Sequence, residues 1–185
     1  MEAIEILMRE HRAIERVVEA LDAAADRLED GTSVRPGFFL EAAEFFAGFA
    51  DGVHHRKEED VLFDSLVESG LPAGQGPVPV MRSEHEEARA LTRGLREAAR
   101  RLDGGDPGAR SQVIAQARRY SALIRDHIAK EDQVLFPMAA GLLTPKAATT
   151  VLEGFRRQER DDARDGTSER LLALGDRLVR EAATP

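Results

Sequence analysis

The sequence predicts an all-α protein: an antiparallel, up-down four-helix bundle with one or two additional helices at its C-terminal end. Three observations predict it. Strand signals are almost absent, while apolar residues recur at steps of three and four over long stretches. Four such stripes are each apolar above and below a single histidine, which places one polar layer across the bundle. The second half of this region also repeats the first, with 43 residues from His11 to His54 and 42 from His85 to His127.

The first helix carries Ile4, Leu7, Ile14, Val18, Leu21, Ala25 and Leu28 on one face, and position 11 of that stripe is His11. Asp30-Gly31, followed by Ser33 and Pro36, ends this helix and opens the next. The second stripe runs Phe39, Ala43, Phe46, Ala50, His54, Glu58 and Leu62, and GLPAGQGPVP (70–79) breaks it. A third runs Met81, His85, Ala88, Thr92, Leu95, Ala99 and Leu102. After GGDPG, Asp106 stands as N-cap and Pro107 as first helical residue of the fourth helix. Its stripe reads Val113, Ala117, Tyr120, Ile124, His127, Glu131, Val134 and Met138.

The level of each histidine follows by counting. With turns near Glu29 and Pro36, His11 and His54 both stand 18 residues from the first turn. That is roughly 27 Å at 1.5 Å per residue. His85 and His127 stand 18 residues from Asp103 and Ala109, so all four meet at one level.

Beyond Ala140 the periodicity weakens. Thr144-Pro145 reads as a helix start, and Val151, Leu152 and Phe155 form a partial stripe. The stretch 156–166 is charged, and 168–182 places Leu171, Leu174 and Leu178 on one face. Residues 1–141 are therefore expected to form the bundle, and 142–185 a helical extension packed on it or on a partner subunit.

Composition narrows the function. The net charge of -8 argues against a nucleic-acid partner and against docking on an anionic membrane. With no cysteine there is no disulfide, thiolate iron–sulfur ligation or cysteine nucleophile. No apolar run approaches the ~18 residues that span a bilayer. The start, MEAIEILMRE, is acidic and amphipathic rather than a signal sequence, so a cytoplasmic location is expected.

Histidine and glutamate at i and i+4 lie on one helix face and reach one ion together. His54 with Glu58, and His127 with Glu131, make two such pairs, joined by His11 and His85 from the other helices. Six ligands crowd one metal, whereas two metals bridged by the carboxylates each receive two imidazoles and keep open positions. Nitrogen and carboxylate donors without sulfur suit non-heme iron best, with manganese or zinc as substitutes.

In EH (10–11), HHRKEEDVLF (54–63), SEH (83–85) and HIAKEDQVLFP (127–137), the chain resembles hemerythrin-like proteins with HHE cation-binding domains. The resemblance covers roughly residues 1–141. It implies a bundle holding two non-heme iron ions, oxo- or hydroxo-bridged. Carried over by position, His11 and His54 bind one iron, His85 and His127 the other, and Glu58 and Glu131 bridge them. The oxygen carriers of the family place a further histidine four residues after the helix-three histidine. Here that position is Arg89, which turns the expectation away from reversible oxygen transport.

The function implied is binding or sensing of O2, NO or peroxide, a small-molecule partner for a monomer or homodimer linked to oxidative stress. The alternatives are a di-iron oxidoreductase that removes peroxide or NO, and an iron store or donor. Glu15, the counterpart of Arg89 in the repeat, is open to two roles: an extra ligand or, as expected, an ion pair with Arg89. Asp132 stands where the oxygen carriers use an aspartate, but the match of Glu131 to Glu58 favours Glu131. Aligning the two ten-residue segments on their shared VLF puts His55 over Ile128 and Glu59 over Asp132. His55, rotated about 100° from His54 on an α-helix, is expected at a helix interface or rim, where it can hydrogen-bond a ligand. Glu59 and Asp60 read as a solvated edge, Tyr120 as core packing, and Phe46, Phe63 and Phe136 as pocket wall or core.

Overall fold

The structure is a computed structural model that describes residues 1–184, and no strand occurs among them. Six helices follow in order: α1 (Glu2–Glu29), α2 (38–68), α3 (Pro77–Asp103), α4 (109–142), α5 (Pro145–Asp165) and α6 (Thr167–Ala182). α1 to α4 form the bundle, with α4 packed on α1 and α3, and α2 packed on α3. α6 lies across α1 and α2, where Leu171, Leu174 and Leu178 join the bundle's own core. The extension that the sequence left between bundle and partner thus packs on the bundle, with helices of 21 and 16 residues.

The helix starts have local causes. Thr144 caps α5, its hydroxyl accepting the Ala147 N–H at 3.3 Å, with Pro145 at the first helical position. At α4 the expected cap is displaced. Asp106 accepts the Gly108 N–H at 2.8 Å in a local side-chain turn, and the helix begins two residues later than Pro107, at Ala109. Gly166 turns the chain from α5 to α6 with φ of 68°, a left-handed conformation that suits glycine.

Neither α2 nor α4 is α-helical throughout. Residues Phe46–His55 and Glu58–Leu62 of α2, and Glu131–Leu135 of α4, are π-helical. Their closing bonds run i→i+5, from Arg56 N–H to Asp51, from Phe63 to Glu58 and from Phe136 to Glu131. A π turn takes in an extra residue and shifts the inward face beyond it. The expected fourth stripe is corrected for this reason: Val134 and Met138 are 51% and 39% exposed, while Leu135, Phe136 and Ala139 are buried.

Two apolar clusters result. The larger lies towards the α1–α2 turn and includes Val18, Leu21, Phe46, Leu95 and Tyr120. The smaller lies towards the other end and includes Leu7, Leu62, Phe63, Met81 and Phe136. Between them are His11, His54, Glu58, His85, His127 and Glu131, none more than 2% exposed.

Glycine sets how closely α6 approaches. A Cβ at Gly175 would meet Phe45 Cε2 at 2.7 Å and Val17 Cγ2 at 3.1 Å, whereas one at Gly141 meets nothing within 4 Å. An aromatic ring held in a core cannot step aside cheaply, so Gly175→Ala is expected to destabilise by about 1–3 kcal/mol. Gly141→Ala, which only adds helix propensity, should leave stability unchanged or raise it by up to ~1 kcal/mol. Chemical denaturation of the two variants is the check, and equal midpoints would contradict the packing of α6.

Candidate metal centre

All six residues expected to bind metal converge. Two groups have donor atoms within 4.8 Å of one another: His11, His54, Glu58 and Glu131 in one, and His55, Glu58, His85 and His127 in the other. The glutamates stand between the halves. Glu58 Oε2 is 3.6 Å from His54 Nε2 and 3.5 Å from His85 Nε2. Glu131 Oε2 is 3.1 Å from His11 Nε2 and 3.3 Å from His127 Nε2. Each carboxylate therefore faces one histidine of each half.

Every one of these four imidazoles is held from behind. A carboxylate only accepts, so each Nδ1 carries the proton and turns Nε2 inward. His54 Nδ1 donates to Glu10 at 3.0 Å and His127 Nδ1 to Glu84 at 2.9 Å. His11 Nδ1 donates to Asp132 at 2.8 Å and His85 Nδ1 to Glu59 at 2.6 Å. Lys57 and Lys130 hold Glu10 and Glu84 in turn, both at 2.5 Å. Phe136 stacks on His11 at 5.3 Å between centroids, and Phe63 on His85 at 5.8 Å. These are the residues that close the π turns begun at Glu131 and Glu58.

Glu59 is thus not a solvated edge, because the π turn brings it behind His85. Sequence reasoning missed this outer ring of Glu10, Glu59 and Glu84, although EH and KE recur in both repeats and carry the signal. Asp132 belongs to the ring too, pairing with Arg12 as well as with His11, and it faces the outer nitrogen of His11 rather than the centre. The expected Glu15–Arg89 pair does not form. Arg89 pairs with Asp51, Glu59 and Glu86 at 2.7, 2.8 and 2.7 Å, and Glu15 pairs with Arg12 at 2.9 Å. Those acids lie on α2 or one turn away on α3, nearer than anything α1 offers.

His55 is 3% exposed and sits at the α2–α3 interface, not at an open rim. The π-helical stretch turns it and His54 to the interior together. Its ring lies over His85 at 3.8 Å between centroids, with 9° between planes. A metal ion lies close to the plane of each imidazole that binds it, so two parallel stacked rings do not share one ion. Proximity puts His55 in the second group; ring geometry makes it a neighbour of His85 instead, and geometry decides.

The donor set fits a cation. His11 Nε2, His54 Nε2 and all four carboxylate oxygens of Glu58 and Glu131 are buried without a hydrogen-bond partner. An unpaired buried carboxylate costs several kcal/mol, which a bound cation offsets. Without one, burial and then the charge of Glu131 push the Glu58 carboxyl well above the usual range. Glu131 is lowered: burial opposes its charge, but His127 and His11 outweigh it. Burial also opposes charge on His11, yet Asp132 and Glu131 raise it to about 9. Burial lowers His54 and His85, which stand neutral.

A sequence profile described as the hemerythrin HHE cation-binding domain matches residues 2–139. The uncharacterized protein Rv1995 of Mycobacterium tuberculosis is 27% identical over 158 residues, covering 85% of this chain and 61% of that protein. Mb2018 of Mycobacterium bovis matches to the same extent. The iron-sulfur cluster repair protein YtfE of Escherichia coli is 34% identical over 89 residues, which is 46% of this chain and 40% of that protein. The chain thus spans 61% of the length of the mycobacterial relatives it matches.

Two expectations follow for the metal. His54→Ala should lose at least one ion per chain while His55→Ala retains both, read by elemental analysis; the reverse result would show that ring stacking misassigns His55. Loading should also release a proton per chain near pH ~7.5, because the ions displace the one that His11 of the metal-free protein holds. Release should fall as pH rises through about 9, where His11 of the metal-free protein has already lost its proton. A pH-stat titration measures both, and release that does not vary with pH would contradict it.

Proposed function

The chain belongs to the hemerythrin HHE cation-binding family, and on that footing we propose that it holds two iron ions and presents them to O2, NO or peroxide. The observation that carries this reading is the position of Glu58 and Glu131. Each stands within 3.6 Å of a histidine from both halves, so either would be within reach of two bound ions. Four imidazoles and two carboxylates, without sulfur, suit non-heme iron. A bound iron pair supplies one-electron chemistry and open coordination positions for a small ligand.

The rest is the work of this chain's own residues. Glu10, Glu59, Glu84 and Asp132 fix the tautomer and direction of the four imidazoles. Phe63 and Phe136 lie against His85 and His11 on the side of the smaller apolar cluster. The two clusters keep bulk water from the layer, and Arg89 stands where a further histidine would ligate in the oxygen carriers, tied to acids. Absence of that ligand favours sensing or turnover of the small molecule over its reversible transport.

A second reading, release of iron to other acceptors, is favoured by similarity to the Escherichia coli protein named for iron–sulfur cluster repair. Loss of iron to a chelator on mild reduction would select it; steady-state consumption of hydrogen peroxide would select an oxidoreductase.

Protein made in iron-replete medium is expected to carry about two irons per chain, with a near-ultraviolet charge-transfer band that azide shifts. Metal analysis with absorption spectroscopy tests this. One zinc per chain and no iron would overturn it.

A further inference from the structure

The pseudo-repeat is broken at one place beside the centre. A cavity of ≈ 120 Å³ lies between α2 and α3, with His55, Asp51 and Tyr120 among its lining residues. About 10–15 Å³ of such space holds a water, so it admits several waters or one small anion. Its α3 wall is Ala88, Arg89, Thr92, Arg93 and Arg96. The residues 74 positions earlier, in the matching register of α1, are Ile14, Glu15, Val18, Glu19 and Asp22. Ile14 and Val18 fill that half as buried core, 2% and 0% exposed. Alanine and threonine leave space in the other half, and all three acids become arginines.

Two of these three arginines are not spent on pairing. Arg89 is tied to Asp51, Glu59 and Glu86. Arg93 and Arg96 have no carboxylate within 4.0 Å among the described residues, and Arg96 donates only to the Ala43 carbonyl, at 3.3 Å. In a chain of net charge -8, the cavity wall therefore carries two arginines, Arg93 and Arg96, beyond the one that its aspartate pairs with.

None of the cavity's lining residues belongs to α5 or α6. Lys57, 1% exposed, has Glu159 of α5 at 3.8 Å, whereas its counterpart Lys130 is 39% exposed. At the cavity, His55 stacks on His85, so whatever rests against His55 stands beside the metal-binding half formed by His85 and His127.

We propose that this cavity is a small-anion site serving the metal centre: an anion of halide, azide or nitrite size is drawn in by Arg93 and Arg96 and held against His55. The service to the metal rests on the function proposed above; the anion site itself does not.

Crystals of the metal-loaded protein soaked in sodium bromide should show anomalous density in the cavity, lost in Arg93→Glu/Arg96→Glu. These side chains are at the surface or half-buried, so the double variant should fold, which circular dichroism confirms. In stopped flow, azide should reach the iron-loaded double variant about tenfold more slowly than the parent, because the attracting field is reversed. Its rate should also lose the decline with ionic strength that the parent shows. Ala88→Ile, which fills the space as Ile14 does, should slow azide while keeping that decline. Azide rates and salt dependence unchanged by the double variant overturn the service to the metal, and a parent cavity without bromide density overturns the anion site. If the purified protein holds no iron, the metal-centre reading fails, while bromide that the double variant loses still upholds the anion site.

Discussion

The structure depends on six polar side chains placed where water does not reach. His11, His54, Glu58, His85, His127 and Glu131 lie between two apolar clusters, and the oxygens of both glutamates are left without hydrogen-bond partners. Such an arrangement is expensive for a bundle that could bury leucine there instead. It persists because each imidazole is fixed by a carboxylate outside it, and those carboxylates by lysine or arginine, so the charges thin out stepwise towards solvent. What remains uncompensated is the middle of the layer. A cation there offsets the cost of those unpaired carboxylates, which links metal binding to stability.

The duplicated hairpin explains how so many groups arrive together. One pattern, a glutamate before the first histidine and a lysine, glutamate and acid after the second, writes the layer twice. The glutamate before the first histidine holds the histidine of the next helix, Glu59 of α2 likewise holds His85 of α3, and Asp132 of α4 closes the ring on His11 of α1. The halves are nonetheless not equivalent. α5 and α6 cover the α1–α2 side, and Arg56 grips Asp162 of α5 with both contacts under 3 Å. The α2–α3 side keeps a cavity instead. The repeat places the centre, and its local departures give it a covered side and an open one.

The π turns connect these features. Two of them begin at a glutamate of the polar layer, Glu58 or Glu131, and end at the phenylalanine that lies against a histidine. A wider turn lets consecutive residues serve different purposes: Glu58 faces the centre while Glu59 stands behind His85, and Glu131 faces the centre while Asp132 stands behind His11. A regular α-helix would carry the second acid of each pair away towards solvent. Wide turns are uncommon in helices and gather at functional sites.

The sequence by itself determined the helical fold, the four-helix order, the level of the polar layer and the six residues that converge in it. These are set by periodicity and by counting from turns, which need only the regular rise of a helix. It did not determine which residues stand behind the imidazoles, whom Arg89 pairs with, or where His55 and Val134 point. Those depend on π turns that shift the face by a residue, and no propensity marks such a turn. Tertiary structure alone decided them, along with the seat of α6 against Phe45 and the space left by Ala88. Distances of a few ångströms between side chains on different helices are fixed by packing, and helical repeat does not encode them.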